Sequence, residues 1–383
     1  MWTNHQTLAS LCGLLLLITA VTEWASAEEK CGYLDKTGKF VIPPQFEDAG
    51  QFSEGLARAQ TEKGGKWGYI DTTGKVVIPQ QFTGAGEFSE GLAPIQTEKD
   101  GKWGFIDTTG KNVFPPQFVS ARPFFKGFAR IKTEEGGKWG FADKTGTVVV
   151  PPQFSNVDHP FSEGLTAVRI DDKRGYIDTT GKVVIAPLFD QALKFSNGLA
   201  SIRMGAKWGV ISKTGKVVIA PQFQCPTPFV EGLAQILIDG KWGYIDTTGK
   251  VVIPPQFTGA GEFSEGLASF RTEKDGKWGY IDTTGKVVIL PQFASGYRFS
   301  GGLAPIQTEK DGKWGFIDTT GKVVIPPKFE TAWIFLDGLA AVQVDEDGKY
   351  GYIDKSGKLA IQPQIESPLS FKDGLALVCV ATK

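Results

Sequence analysis

The sequence predicts an all-β tandem array, ten three-stranded antiparallel meander repeats of 34–36 residues packed into one body. Three observations carry that expectation. A glycine with tryptophan or a substitute before it recurs ten times, at intervals of 36, 36, 36, 35, 34, 34, 36, 36 and 36 residues. The 383 residues include 48 glycines and 22 prolines, which call for many turns and little helix. Between them lie short β-branched runs of strand length rather than helix length.

The first segment stands apart from the repeats. Residues 1–27 are expected to be a signal peptide, because an apolar run from Leu8 to Val21 ends in Ala25-Ser26-Ala27 before Glu28. The leading segment lacks Lys and Arg, so a retained anchor is the alternative. Cys12 sits inside the apolar run, which argues against a lipid-modified terminus. Residues 28–383 are expected to form a single repeat domain with no further membrane span.

The repeats begin near residues 31, 67, 103, 139, 174, 208, 242, 278, 314 and 350. Tryptophan fills the first position at Trp67, Trp103, Trp139, Trp208, Trp242, Trp278 and Trp314, and Cys31, Arg174 and Tyr350 replace it elsewhere. One unit shows the local physics. Trp67-Gly68-Tyr69-Ile70-Asp71 reads as a strand, and Thr72-Thr73-Gly74-Lys75 turns the chain, with Asp bonding the turn and Gly taking positive φ. Val76-Val77-Ile78 is the second strand, which Pro79 is expected to end. After a bend through Phe88-Ser89-Glu90-Gly91, the third strand runs Leu92-Ala93-Pro94-Ile95-Gln96. An Asp-Gly hairpin then sets Leu237 opposite Trp242, and longer links set Gln96 opposite Trp103. Apolar residues fall on both strand faces, so adjacent units must cover both.

The ends of the array complement each other. The chain opens on a strand with Cys31 in the tryptophan position and closes on a third strand, Gly374 to Val380, without a partner. Cys379 is five residues past Gly374, as Gln96 is five past Gly91, so pairing the two ends places Cys379 opposite Cys31. Antiparallel neighbours lie about 4.5–5.5 Å apart, within disulfide range. A propeller-like ring closed by the C-terminal strand is therefore expected, with an open β-spiral as the alternative because propellers usually have about four to eight blades. Cys225 is left as an odd thiol.

The recurring Lys-Trp-Gly-Tyr-Ile-Asp-Thr-Thr-Gly-Lys-Val-Val-Ile-Pro-Pro-Gln-Phe, clearest at 241–257, resembles the WG-repeat (KWG) family of bacterial proteins. The resemblance runs from Cys31 to Val380 and departs at Cys31, Arg174, Ser212 and Tyr350. It implies variable repeat number, which favours an open array over a fixed ring, and it brings no assigned activity or catalytic residue.

Chemistry is sparse. Lys+Arg at 41 against Asp+Glu at 42 argues against nucleic acid or an anionic membrane as partner. His159 is the single histidine beyond the leader and sits in a bend, so a Ser-His-Asp or Cys-His arrangement is poorly served. No cysteine or histidine pairs stand at zinc spacing, and Asp345-Glu346-Asp347-Gly348 lacks the later ligands of a calcium loop. The Asp of Ile-Asp recurs in most units and Glu90 recurs as Glu163, Glu231 and Glu265, a pattern of turn support rather than a singular catalytic pair. The strand location and regular recurrence of the tryptophans favour packing between units over lining a carbohydrate groove. No catalytic, cofactor-binding or metal residue is expected. The function expected is a non-enzymatic exported scaffold, in the periplasm, envelope or medium, binding a protein or polysaccharide through loop faces. A glycan-active enzyme with its site in the divergent residues 155–191 is the alternative.

Overall fold

The computed structural model describes residues 29–381 apart from 158–159, 226–227, 346–347 and 368–369. The expected leader and His159 lie outside the described residues. Each repeat builds one small antiparallel sheet, and the ten sheets stand in a ring as a ten-bladed β-propeller. We number the blades by their Trp-Gly positions, so blade 1 contains Cys31 and blade 10 contains Tyr350.

Blade 3 is representative, with strands Gly84–Ala85, Leu92–Gln96, Trp103–Asp107 and Asn112–Phe118 in spatial order. The three long strands are those the sequence predicts, and Gln96 lies opposite Trp103. The two-residue strand is additional. Gly84 and Ala85 pair with Gln96 and Ile95, and such a short pairing leaves no apolar pattern to read. Among the described residues, eight blades carry this fourth strand and blades 1 and 7 have three.

Pro79 does not end its strand. Val76–Phe82 continues through it as the last strand of blade 2, with a register shift between the Tyr69–Ile78 and Trp67–Phe82 pairs. A proline is tolerated there because the strand lies at the sheet edge. This irregularity explains the repeat's central dipeptide. A Cβ on Gly68 would lie 2.5 Å from the Ile78 carbonyl oxygen and 2.8 Å from Gln80 N, so the edge strand folds down onto bare backbone. The equivalent glycines, including Gly32, Gly175 and Gly351, are crowded by the same backbone. Glycine is thus kept where tryptophan is lost.

The turn after each Trp-Gly strand is tied by its aspartate. Asp71 Oδ1 accepts from Thr73 N at 2.9 Å, Thr73 Oγ1 at 2.6 Å and Lys75 N at 3.1 Å. The Thr73 hydroxyl, ahead of these backbone amides, holds the Asp71 carboxyl below the usual carboxylate range. In blade 6 Ser212 stands in for the aspartate, and its Oγ lies 2.9 Å from Thr214 Oγ1.

Core packing lies between blades. Tyr69, Ile78 and Phe82 of blade 2 pack on Ala85, Phe88, Ile95 and Ile106 of blade 3. Ile70 points the other way, onto Tyr33, Ile42 and Phe46 of blade 1. The Tyr69 and Phe88 rings meet edge to face at 4.8 Å, and Tyr69 Oη donates to Gly86 O at 2.8 Å. That bond satisfies a buried hydroxyl that would otherwise cost about 1–3 kcal/mol.

Direct bonds also join equivalent turns. Ser53 Oγ donates to Phe88 O at 2.8 Å, and the Glu54 carboxylate accepts from Glu90 N at 2.6 Å and Gly91 N at 2.8 Å. Equivalent points of a ring approach most closely near its axis, so these Ser-Glu-Gly turns form the inner edge. The last strands form the outer rim, where Val76 and Val77 are exposed. Glu90 and Lys126 at these turns take positive φ of 55° and 51°, as a hairpin with two left-handed residues requires.

The ring closes on itself. Leu375–Ala381 pairs with Glu29–Asp35 and completes blade 1, with Cys379 opposite Cys31 and a disulfide joining them. Leu34 and Val378 of blade 1 pack against Tyr352, Ile361 and Ile365 of blade 10, so the junction has its own apolar core. Across the next junction, Asp373 Oδ2 accepts from Gly55 N at 2.8 Å, continuing the inner chain of carboxylate-to-amide bonds.

Candidate functional site

The Trp-Gly strand of each blade runs from the tryptophan position to the turn that follows the aspartate position. Tryptophans and Asp-tied turns therefore occupy opposite sides of the ring. All seven repeat tryptophans are half-buried, and each packs on the core of its own blade junction. Cations cover several of them: the Arg58 guanidinium lies 4.6 Å from the Trp67 ring centre, and that of Arg271 4.9 Å from Trp278. Most of these tryptophans thus act as packing residues.

The sector from blade 8 to blade 10 is more open, although Arg271 covers Trp278 at its edge. Here Trp278, Trp314 and Tyr350, successive occupants of the tryptophan position, border a groove of about 710 Å³. Two further aromatics rise over it, Tyr297 and Trp333, which are 53% and 54% exposed. They are 36 residues apart and occupy one position of the repeat, where blades 2, 3 and 8 have Gly50, Gly86 and Gly261. Tyr297 stacks on Trp314 with ring centres 5.1 Å apart and planes 7° from parallel. A second hollow of about 480 Å³ adjoins the groove at Trp333 and includes Leu336, which is 63% exposed.

No long side chain bridges the blades within this sector from the strand that precedes each Trp-Gly strand. At three other junctions a long side chain crosses to the next blade: Arg58 Nη1 donates to Ala85 O at 2.7 Å, Arg130 Nη1 to Val157 O at 2.8 Å, and Gln235 Nε2 to Ala260 O at 2.9 Å, whereas blades 3, 5 and 6 have the short Pro94, Ala167 and Ser201. Ser269 and Pro305 stand at the equivalent places in blades 8 and 9 and are too short to do so. Glu262 and Arg298 are exposed at the groove and are its two ionised side chains, of opposite sign.

Tyr297 and Trp333 were not among the residues singled out by the sequence reading. A signal existed: Trp333 is the one tryptophan after the leader outside the repeat slot, and Tyr297 is likewise out of register. Residues 155–191 instead build an ordinary blade 5. Its Arg174 donates to Asp190 O at 2.9 Å, while the Asp190 carboxylate accepts from Lys173 Nζ at 2.6 Å and Gly205 N at 2.6 Å. The recurring glutamates do support turns, but the next blade's: Glu90 accepts from Gly127 N, Glu163 from Gly198 N, Glu231 from Gly266 N and Glu265 from Gly302 N. Cys225 is a free, half-buried thiol between blades 6 and 7. Among the described residues no group of three or more His, Cys, Asp or Glu is arranged to hold a metal ion, and no helix is long and apolar enough to cross a membrane.

Ten consecutive matches to the WG containing repeat, at 32–67, 67–103, 103–138, 139–173, 175–208, 208–242, 242–278, 278–314, 314–349 and 350–381, span the ring. The chain belongs to the WG-repeat family. No curated protein matches it in sequence. Among solved structures, this WG-repeat chain is similar to a eukaryotic initiation factor at 13% identity, covering 87% of this chain and 95% of that one with a TM-score of 0.43. AztD of Citrobacter koseri is similar at 12% identity, with 93% and 99% covered and a TM-score of 0.34. A streptogramin B lyase shares 15% identity over 73% of this chain and 95% of its own, at a TM-score of 0.28.

Proposed function

We propose that this WG-repeat protein is an exported, non-catalytic ring scaffold that binds a cell-surface polymer across blades 8 to 10. The observation that carries the reading is the exposed pair Tyr297 and Trp333, standing where blades 2, 3 and 8 have glycine and bordering an aromatic groove. Contiguous exposed apolar surface of this kind marks an interaction site. Export is supported by the Cys31–Cys379 disulfide, a bond that persists in oxidising compartments. The scaffold reading is supported by the recurring carboxylates, which are engaged in turns of the ring rather than converging on a reaction site.

Co-sedimentation of the purified protein with isolated cell envelopes of the producing organism tests this reading. Retention of the wild type is expected, with loss of most of it in Trp333→Ala at an unchanged thermal midpoint. Failure of the wild type to sediment, or equal retention of the variant, refutes it.

A further inference from the structure

Resting on that reading, we propose that the groove of blades 8 to 10 is a subsite for a neutral pyranose chain, with Tyr297 and Trp333 as its stacking residues. A pyranose chair presents a face of C–H bonds and carries its hydroxyls around the edge. Its complement is a flat aromatic surface with polar groups at the rim. Tyr297 meets the first requirement. One face lies on Trp314, which fixes the ring's plane, and the residue remains half exposed. Trp333 supplies a second exposed indole one blade further on. Ser295 and Thr331 border the same groove, and the Thr331 hydroxyl is oriented by Gln343 Oε1 at 2.9 Å.

Charge selects the class of chain. Glu262 and Arg298 offset each other, so the groove offers no surplus of cations to an anionic polymer and no surplus of anions to a basic one. Extent selects a chain over a single sugar. The groove crosses from Gly261 in blade 8 to Tyr350 in blade 10, and its volume of about 710 Å³ is within the range of sites that enclose several rings. The ring itself does not require these aromatics, because glycine serves the same position in blades 2, 3 and 8.

The experiment is a titration of the full protein, followed by tryptophan emission and calorimetry, with cellohexaose, chitohexaose and mannohexaose as separate probes. At least one is expected to bind. Tyr297→Gly, which restores the residue of other blades, and Trp333→Ala should each weaken that binding by about tenfold or more. Leu290→Ala, at an outer-rim residue 72% exposed, should leave it unchanged. Binding of none of the three probes, or binding indifferent to both groove substitutions, overturns the saccharide assignment. If none binds while envelope retention still depends on Trp333, the saccharide assignment falls and the scaffold reading stands. Loss of that retention after protease treatment of the envelopes identifies a protein as the occupant and also overturns the assignment.

Discussion

Blades 2 and 3 and blades 9 and 10 come from one repeat, yet they treat one position in opposite ways. In blade 3 the position is Gly86, where a Cβ would lie 2.6 Å from Pro94 Cγ, and its carbonyl receives the Tyr69 hydroxyl of blade 2. In blades 9 and 10 it is Tyr297 and Trp333. In blade 9 the main chain receives the same kind of bond, Tyr280 Oη to Tyr297 O at 2.8 Å. Although Phe316 offers none to Trp333, the amides of Gly86, Tyr297 and Trp333 alike donate to the neighbouring strand, while the two aromatic side chains project into solvent. The backbone role is preserved and the side chain is left to vary. Departures from a repeat are therefore most informative where they add exposed surface without disturbing the junction beneath.

Substitutions on the two sides of this comparison should separate stability from binding. The largest stability change belongs to the regular region. Phe88→Ala removes a ring 1% exposed from the blade 2–3 junction and should cost about 3–5 kcal/mol, read as a lowered denaturant midpoint with groove binding intact. Opening the Cys31–Cys379 bond comes next, with a typical loss of about 2–4 kcal/mol and a lower thermal midpoint in reductant. Because blade 10 adjoins the disulfide-closed blade 1, the groove should loosen before blades 4 to 6 do. Hydrogen exchange that is faster near 331–353 than near 139–189 would show it.

Acid produces a smaller effect confined to the turns. The Asp71 carboxyl is held below its ordinary value, chiefly by Thr73, and Asp107, Asp246 and Asp318 are held down in the same way by their threonines. A depressed folded value adds stability above the unfolded value near about 4, and that contribution disappears as pH falls through the folded value. Amide exchange at Gly74 should accelerate as the pH is lowered below about 4, relative to its intrinsic rate, while Gly215 in the Ser212 turn should not respond. Smallest of all is Tyr297→Gly, expected to shift stability by no more than about 0.5 kcal/mol. A large destabilisation there would break the comparison by showing that the aromatic is part of the fold.

Much of the architecture could be read before any coordinates. Hairpin loop length fixes register, so Leu237 opposite Trp242 and Cys31 opposite Cys379 follow from counting residues, and the paired strands place them so. What escaped was structure without local pattern. Gly84–Ala85 is too short to show alternation, and the strand through Pro79 depends on lying at an outer edge that only the assembled sheet reveals. The glutamate bonds were invisible for a similar reason, since Glu54 and Gly91 are 37 residues apart and meet only once two blades stand side by side. The groove is marked by no irregular spacing in the sequence, where residues 155–191 stand out as the divergent stretch. There the changes in length are taken up in loops around a normal blade. Tyr297 and Trp333 alter no spacing and announce themselves only as aromatics in the wrong slot.

The shared construction of blade 1 also bears on how the molecule is made. Its strand Glu29–Asp35 leaves the ribosome long before its partner Leu375–Ala381, since the joined Cys31 and Cys379 are 348 residues apart. Until Leu375–Ala381 arrives, the Glu29–Asp35 strand carries a bare edge able to recruit foreign strands. Closure of the ring is consequently a late event, although blades 2 to 10 are each built from consecutive strands. A chain cut short even by its last repeat would remain an unfinished substrate for proteases.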